Sequence, residues 1–148
     1  MNKNKIIISA ALTGAATNRS HCPYIPYTPE ELGEEARRAV DAGASILHIH
    51  AREDDGTPSW RTEVFEKITK EVRKRCPDVI INYSTGAIGI SIEERIKHLP
   101  VTKPEMAAFN MGSMNYAIYS KRKKQFMWSG VFENSFETMS KVVKTMNE

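Results

Sequence analysis

With 148 residues, 41% of them hydrophobic and 26% charged, the chain has the composition of a soluble globular protein and the length of one ordinary domain spanning residues 1–148. A net charge of +3, with no stripe of lysine and arginine interleaved with aromatics, gives no reason to expect nucleic acid, and no apolar run approaches a membrane span. Cys22 and Cys76 have no C-x-x-C spacing, so a disulfide framework is excluded and a reducing, cytoplasmic setting is expected.

In chain order, the first predicted element is a strand from Lys5 to Ala10. Basic residues precede it, but Ile6 to Ala11 is too short for the apolar region of a signal peptide. A long proline-bearing loop follows, through Pro23, Pro26 and Pro29. His21 and Cys22 lie in it side by side and read as loop composition rather than as metal ligands. Thr28-Pro29-Glu30-Glu31 then forms a capping box with proline at the first helical position. Leu32, Ala36, Ala39 and Val40 fall on one face of that helix, and Gly43 ends it.

Ser45 to His50 is the second predicted strand. Ser59 is a candidate cap for a second helix whose inner face carries Val64, Phe65, Ile68 and Val72, with Pro77 just beyond its end. Val79 to Tyr83 is a third strand, closed by Ser84-Thr85-Gly86. Ser91 and Glu94 give another capping box ahead of Ile92 and Ile96. Met106 to Asn110 is a fourth strand. The basic run Lys121-Arg122-Lys123-Lys124 reads as a solvated loop, with contact to the phosphates of an anionic cofactor as the sharper alternative. Met139, Val142, Val143 and Met146 mark a last helix.

Four βα units in succession predict parallel strands joined by right-handed crossovers. Two architectures fit: a flavodoxin-like open sheet, or the first half of a (β/α)₈ barrel, which as a whole needs about 250 residues. The most informative stretch is Ile46-Leu47-His48-Ile49-His50. Side chains alternate along a strand, so His48 and His50 share a face while Leu47 and Ile49 point to the helix layer. Two imidazoles at the carboxyl end of a parallel strand make half of a metal site, and zinc accepts such nitrogens; the alternative is two polar histidines that merely share a strand face. Ser84, Thr85, Gly86 and Ala87 directly follow the next strand at the same mouth, where small hydroxyl residues and glycine amides make a carboxylate cradle or, without the histidines beside them, an ordinary turn. Asn110 ends the fourth strand and is placed to donate to a substrate oxygen or to cap its own loop.

Six segments are in order and in register with one known family: Ser9-Ala10-Ala11-Leu12-Thr13-Gly14-Ala15, Tyr27-Thr28-Pro29-Glu30-Glu31, Asp41-Ala42-Gly43-Ala44, His48-Ile49-His50-Ala51-Arg52, Ser84-Thr85-Gly86 and Lys103-Pro104-Glu105-Met106-Ala107. On these the chain resembles the β-keto acid cleavage enzymes, in particular those of lysine fermentation, over nearly its whole length. The resemblance implies a zinc-dependent (β/α)₈ barrel that cleaves a 3-keto acid such as 3-keto-5-aminohexanoate. The reaction is a retro-Claisen acyl transfer with acetyl-CoA, giving acetoacetate and a new acyl-CoA. It implies His48 and His50 as two zinc ligands and Ser84, helped by the amides of Gly86 and Ala87, as the holder of the substrate carboxylate. The family's third ligand, a glutamate on a late strand, and its proton-abstracting residues are expected beyond the chain end, so no catalytic base is assigned here. The implied partners are a β-keto acid and an acyl-CoA, with a homo-oligomer or a second chain completing the barrel.

Two positions depart from the family. Ala16 stands where the aminohexanoate enzymes have a glutamate facing the substrate ammonium, and Ala108 stands where they have a threonine. Asp54 is a candidate to orient one of the histidines. Two other readings remain: a metal-dependent hydrolase of the amidohydrolase type, which also uses H-x-H on a barrel strand, and a non-catalytic half-barrel that needs a partner.

Overall fold

The computed structural model describes residues 5–148. Its elements run β1 (Ser9–Ala11), α1 (Pro29–Asp41), β2 (Ile46–Ile49), α2 (Thr62–Arg75), β3 (Ile80–Ser84), α3 (Ile92–Ile96), α4 (Leu99–Thr102), β4 (Met106–Ala108), β5 (Met114–Ser120), β6 (Gln125–Phe132) and α5 (Phe136–Asn147). β1 to β4 pair in parallel in the order of the sequence. That order does not reverse as it does in doubly wound sheets, and it is the order of a barrel wall. These are parallel βα units forming the first half of a (β/α)₈ barrel, with no closed barrel among the described residues.

Strand alternation decides which face is dry. Leu47, Ile49, Ile81 and Tyr83 are fully buried and pack under Leu32 and Ala36 of α1 and Phe65, Ile68 and Val72 of α2. Their neighbours His48, Ile46, Ile80 and Asn82 look to the other, concave face and are only half-buried. A second, smaller cluster joins Ile96, Leu99 and Val142 from α3, α4 and α5.

Local signals place several of these elements as the sequence predicts. The Thr28 Oγ1 accepts from the Glu31 N–H and the Glu31 carboxylate accepts from the Thr28 N–H, so the capping box at α1 is complete. Gly43, at φ +104°, takes a conformation that β-carbon-bearing residues avoid. The first strand is shorter than predicted: pairing begins where β2 begins, and Ile6 and Ile7 are exposed. β4 likewise stops at Ala108, where its partner β3 ends at Ser84. Ser59 does not cap α2. Its hydroxyl donates to Glu53 Oε1 at 2.6 Å, and the helix starts after Arg61 without a side-chain cap.

The largest departure lies between Asn110 and α5. The basic run is the tip of an antiparallel hairpin, β5–β6, with Lys124 at φ 51°. Met114, Ile118, Tyr119, Phe126 and Met127 are exposed on it.

One turn beside the concave face makes a sharp prediction. Gly56 has φ +87°, and a β-carbon there would stand 2.2 Å from the Tyr27 ring. The Tyr27 hydroxyl is held by the Arg19 N–H at 2.7 Å, so the ring is not free to yield. Gly56→Ala is therefore expected to lower stability by about 2 kcal/mol. Chemical denaturation measures it, and a loss below a few tenths would contradict this account of the turn.

Candidate active site

The carboxyl end of β2 is built around its two histidines. Both project to the concave face, and their Nε2 atoms stand 3.2 Å apart with ring planes near perpendicular. The backbone of His50 is clamped at both ends by one hydroxyl. Thr13 Oγ1 donates to the His50 carbonyl and accepts from the His50 N–H, each at 3.1 Å. Arg52 then locks the two loops at the mouth. It is 4% exposed and donates to the carbonyls of Gly56 at 2.7 Å, Gly14 at 2.8 Å and Thr17 at 2.7 Å. No sequence pattern assigned Arg52 this work; the available signal was an arginine two residues past a buried strand.

Burial sets the charge of the pair. Loss of water lowers the basicity of His48, with the neighbouring Asn82 working the other way. For His50 burial is again the main cause, and repulsion from His48 and Arg52 adds to it, bringing the pKa down to about 4. Both rings are thus neutral at pH 7 and keep nitrogen lone pairs available.

That arrangement fits a metal ion. Two nitrogens each about 2.0–2.1 Å from a tetrahedral ion stand about 3.3 Å apart, close to the observed separation. Asn82 Oδ1, across the ladder from His48, is buried without a hydrogen-bond partner, which is the chemistry of an acceptor waiting for an imidazole N–H. No third histidine, cysteine, aspartate or glutamate joins them among the described residues. Asp54 is exposed in the following turn and has no hydrogen bond to either ring among the described residues, and Asp55 is engaged by Thr57. His21 accepts from the Asn18 N–H, and no group of three or more potential metal ligands includes it or Cys22 among the described residues.

A cavity of about 480 Å³ opens beside His50, lined also by Gly14, Ala15, Ser84, Gly86 and Ala87. Ser84 is 7% exposed, and its Oγ accepts from the Gly86 N–H at 3.3 Å, a long bond that leaves the hydroxyl and amide open to exchange. The other two predicted residues are not gathered there. Thr85 is fully buried and turned away, its Oγ1 donating to the Ala108 carbonyl at 2.7 Å. Asn110 lies outside the cavity lining, and its carbonyl accepts from Asn134 Nδ2 at 2.9 Å. Phe132, from the unpredicted hairpin, forms part of the cavity wall.

Comparison with known proteins gives the family and the fold. The family model described as "beta-keto acid cleavage enzyme" matches residues 5–148. The "3-keto-5-aminohexanoate cleavage enzyme" of Acetoanaerobium sticklandii is 48% identical over 114 residues, which is 76% of this chain and 41% of that protein. The "3,5-dioxohexanoate:acetyl-CoA acetone transferase" of Paraburkholderia graminis is 41% identical over 119 residues, 79% of this chain and 38% of that protein. The chain thus spans about two fifths of the length of the curated relatives it matches. Among solved structures, ObcA in binary complex with oxaloacetate superposes with a TM-score of 0.65 at 23% identity, over 82% of this chain and 28% of that one. That likeness concerns the fold.

Proposed function

Because this chain belongs to the β-keto acid cleavage enzyme family, we propose that it carries the metal-binding and carboxylate-binding half of a zinc-dependent acyltransferase acting on a 3-keto acid and acetyl-CoA. The observation that carries this reading is the His48–His50 pair, with Nε2 atoms 3.2 Å apart and His50 lining the cavity that also holds Ser84 and Gly86. In the reaction the C2–C3 bond of the 3-keto acid breaks and C2 takes the acetyl group of acetyl-CoA. The products are acetoacetate and the CoA thioester of the displaced acyl group.

His48 and His50 would hold zinc, which as a Lewis acid supplies stabilisation for oxygen charge that develops on the keto group. Ser84 Oγ and the Gly86 and Ala87 amides hold the carboxylate. This fixes the C2–C3 bond in place and turns binding energy into orientation. Thr13 and Arg52 keep His50 and the two rim loops from drifting. Phe65 and Phe132 give the cavity an apolar wall, which disfavours water beside a bound thioester.

The same reading predicts the substrate's distal charge. Ala16 is exposed in the rim loop, where it offers no carboxylate to an ammonium. Glu31 cannot substitute, since its carboxylate is held by Arg19 and by the Tyr27 and Thr28 amides. A 3-keto acid without a C5 ammonium is therefore expected to be used at least about tenfold better in kcat/KM than 3-keto-5-aminohexanoate, about 1.4 kcal/mol in transition-state binding. The test incubates protein carrying this sequence with acetyl-CoA, zinc and either 3-ketohexanoate or the amino compound, and follows acetoacetate and acyl-CoA by mass spectrometry. Absence of acetoacetate with both substrates would sink the function. Preference for the amino compound would sink only the charge assignment, and Ala16→Glu should shift activity toward it.

A further inference from the structure

α3 carries a charge on the wrong side. Arg95 falls three residues after Ile92 and next to Ile96, on the face that packs inward, and it is 3% exposed. No carboxylate lies within ion-pairing distance of it among the described residues. Its Nε–H donates to the Thr85 carbonyl at 2.6 Å and its Nη2–H to Asn134 Oδ1 at 3.0 Å. Taking a guanidinium out of water costs several kcal/mol unless an anion or a dense set of acceptors offsets it. Two neutral acceptors and the face of the Phe132 ring, whose centroid is 5.7 Å from the guanidinium carbon, offset only part of that cost, with no carboxylate beside it.

The Thr85 carbonyl belongs to the same peptide unit as the Gly86 N–H. In a trans peptide these two groups point in opposite directions. A cation bound at the oxygen therefore leaves the N–H aimed away from it. Gly86 lines the cavity beside Ser84 and His50. A charge-assisted hydrogen bond at the oxygen also polarises the unit and makes its N–H a stronger donor. The current partner of that N–H is Ser84 Oγ at 3.3 Å, a bond easily given up.

We propose that Arg95 is a positioning residue for substrate: through the Thr85–Gly86 peptide it orients and strengthens the Gly86 N–H as a donor to the carboxylate of the 3-keto acid. The anion that balances Arg95 is then the substrate itself, held on the far side of one peptide plane. Asn134 completes the device. Its Oδ1 holds the guanidinium, while its Nδ2 bonds the Asn110 carbonyl and its N–H bonds Ser113 Oγ. The mouth of β3 is thereby tied to the loop after β4. This inference rests on reading Ser84 to Ala87 as the carboxylate cradle.

The test separates charge from scaffolding. Protein labelled with ¹⁵N-glycine gives signals from only eight glycines, and Gly86→Ala assigns the one of interest. The probes are acetoacetate and its methyl ester, which lacks the charge. In the wild type, the Gly86 amide signal should move downfield with acetoacetate and not with the ester. Arg95→Met should weaken acetoacetate binding tenfold or more, and Arg95→Lys should restore most of it. Asn134→Asp places a carboxylate on the guanidinium, keeping that contact and cancelling the charge while giving up the donation to the Asn110 carbonyl, a loss that the uncharged ester reads separately. It should weaken acetoacetate binding about as much as Arg95→Met and leave ester binding unchanged. Should Arg95→Met fail to fold, Asn134→Asp decides. If Asn134→Asp binds acetoacetate like the wild type, with the same Gly86 shift, the inference on Arg95 is overturned while the cradle stands. If Gly86 in the wild type ignores acetoacetate, the cradle reading falls and takes the inference with it.

Discussion

Replacing both His48 and His50 by alanine is expected to abolish zinc binding at micromolar metal, and either single replacement is expected to weaken it by at least about 100-fold. The bound comes from substitutions in groups that merely orient metal ligands, which already cost about 10–100-fold. Removal of a ligand exceeds that. Asn82→Ala belongs to the weaker class, because Asn82 Oδ1 is placed to accept from His48 rather than to reach an ion, and about tenfold is expected. Competition with a chromophoric zinc chelator at pH 7.5 measures all four variants against the wild type. A double variant that keeps the wild-type affinity would move the metal to another part of the molecule.

The second large effect concerns acid stability. His98 is fully buried, stacked on Phe65 with ring centroids 3.6 Å apart, and neither ring nitrogen has a hydrogen-bond partner. Burial lowers its pKa from 6.5 to about 4. The folded protein thus keeps His98 neutral where the unfolded chain protonates it. Stability is complete above about pH 6.5, falls as pH drops through that value, and levels off below about pH 4. The part due to His98 amounts to about 3 kcal/mol. His98→Phe should remove it. The variant differs from wild type by a roughly constant packing increment near pH 7.5, and should gain about 2.5 kcal/mol relative to wild type on going to pH 4.5. Urea titrations at the two pH values give both numbers. His48 and His50 are present in both proteins, so their own titration cancels. Equal losses with acid in wild type and variant would show that the unfolding slope comes from elsewhere.

How much of this could be read from the sequence depends on how local each signal is. The face shared by His48 and His50 follows from strand alternation alone, and the flanking Leu47 and Ile49 point to the dry side as they must. The start of α1 follows from four adjacent residues. The hairpin was not legible for a physical reason. Met114, Tyr116 and Ile118 alternate on β5, but both faces of β5 and β6 are largely exposed, so no side of the ribbon is marked as inner. Its tip, Lys121 to Lys124, also lacks the glycine or asparagine that announces a tight turn. Arg95 was hidden in a different way. Its partners Thr85 and Asn134 are 10 and 39 residues away, and only an arginine at helical spacing with Ile92 and Ile96 hinted that it points inward. Thr85 shows the converse. Its neighbours in the motif line the cavity, but its own hydroxyl is committed to Ala108 by the pairing of β3 with β4.

The sheet order has a bearing on how the molecule comes into being. Because β1, β2, β3 and β4 are neighbours in space in the order in which they are made, each strand leaving the ribosome meets a partner that already exists. Once Arg75 has left the ribosome, α1 can close on α2, and Leu32, Ala36, Leu47, Ile49, Phe65, Ile68 and Val72 can begin to assemble before the rest of the cluster arrives. Loop closures stay short at every stage, so the entropic barrier to each docking step is small. Such a chain can grow its core from the amino end outward during translation, with β3 and then β4 adding to an edge that stands ready for them.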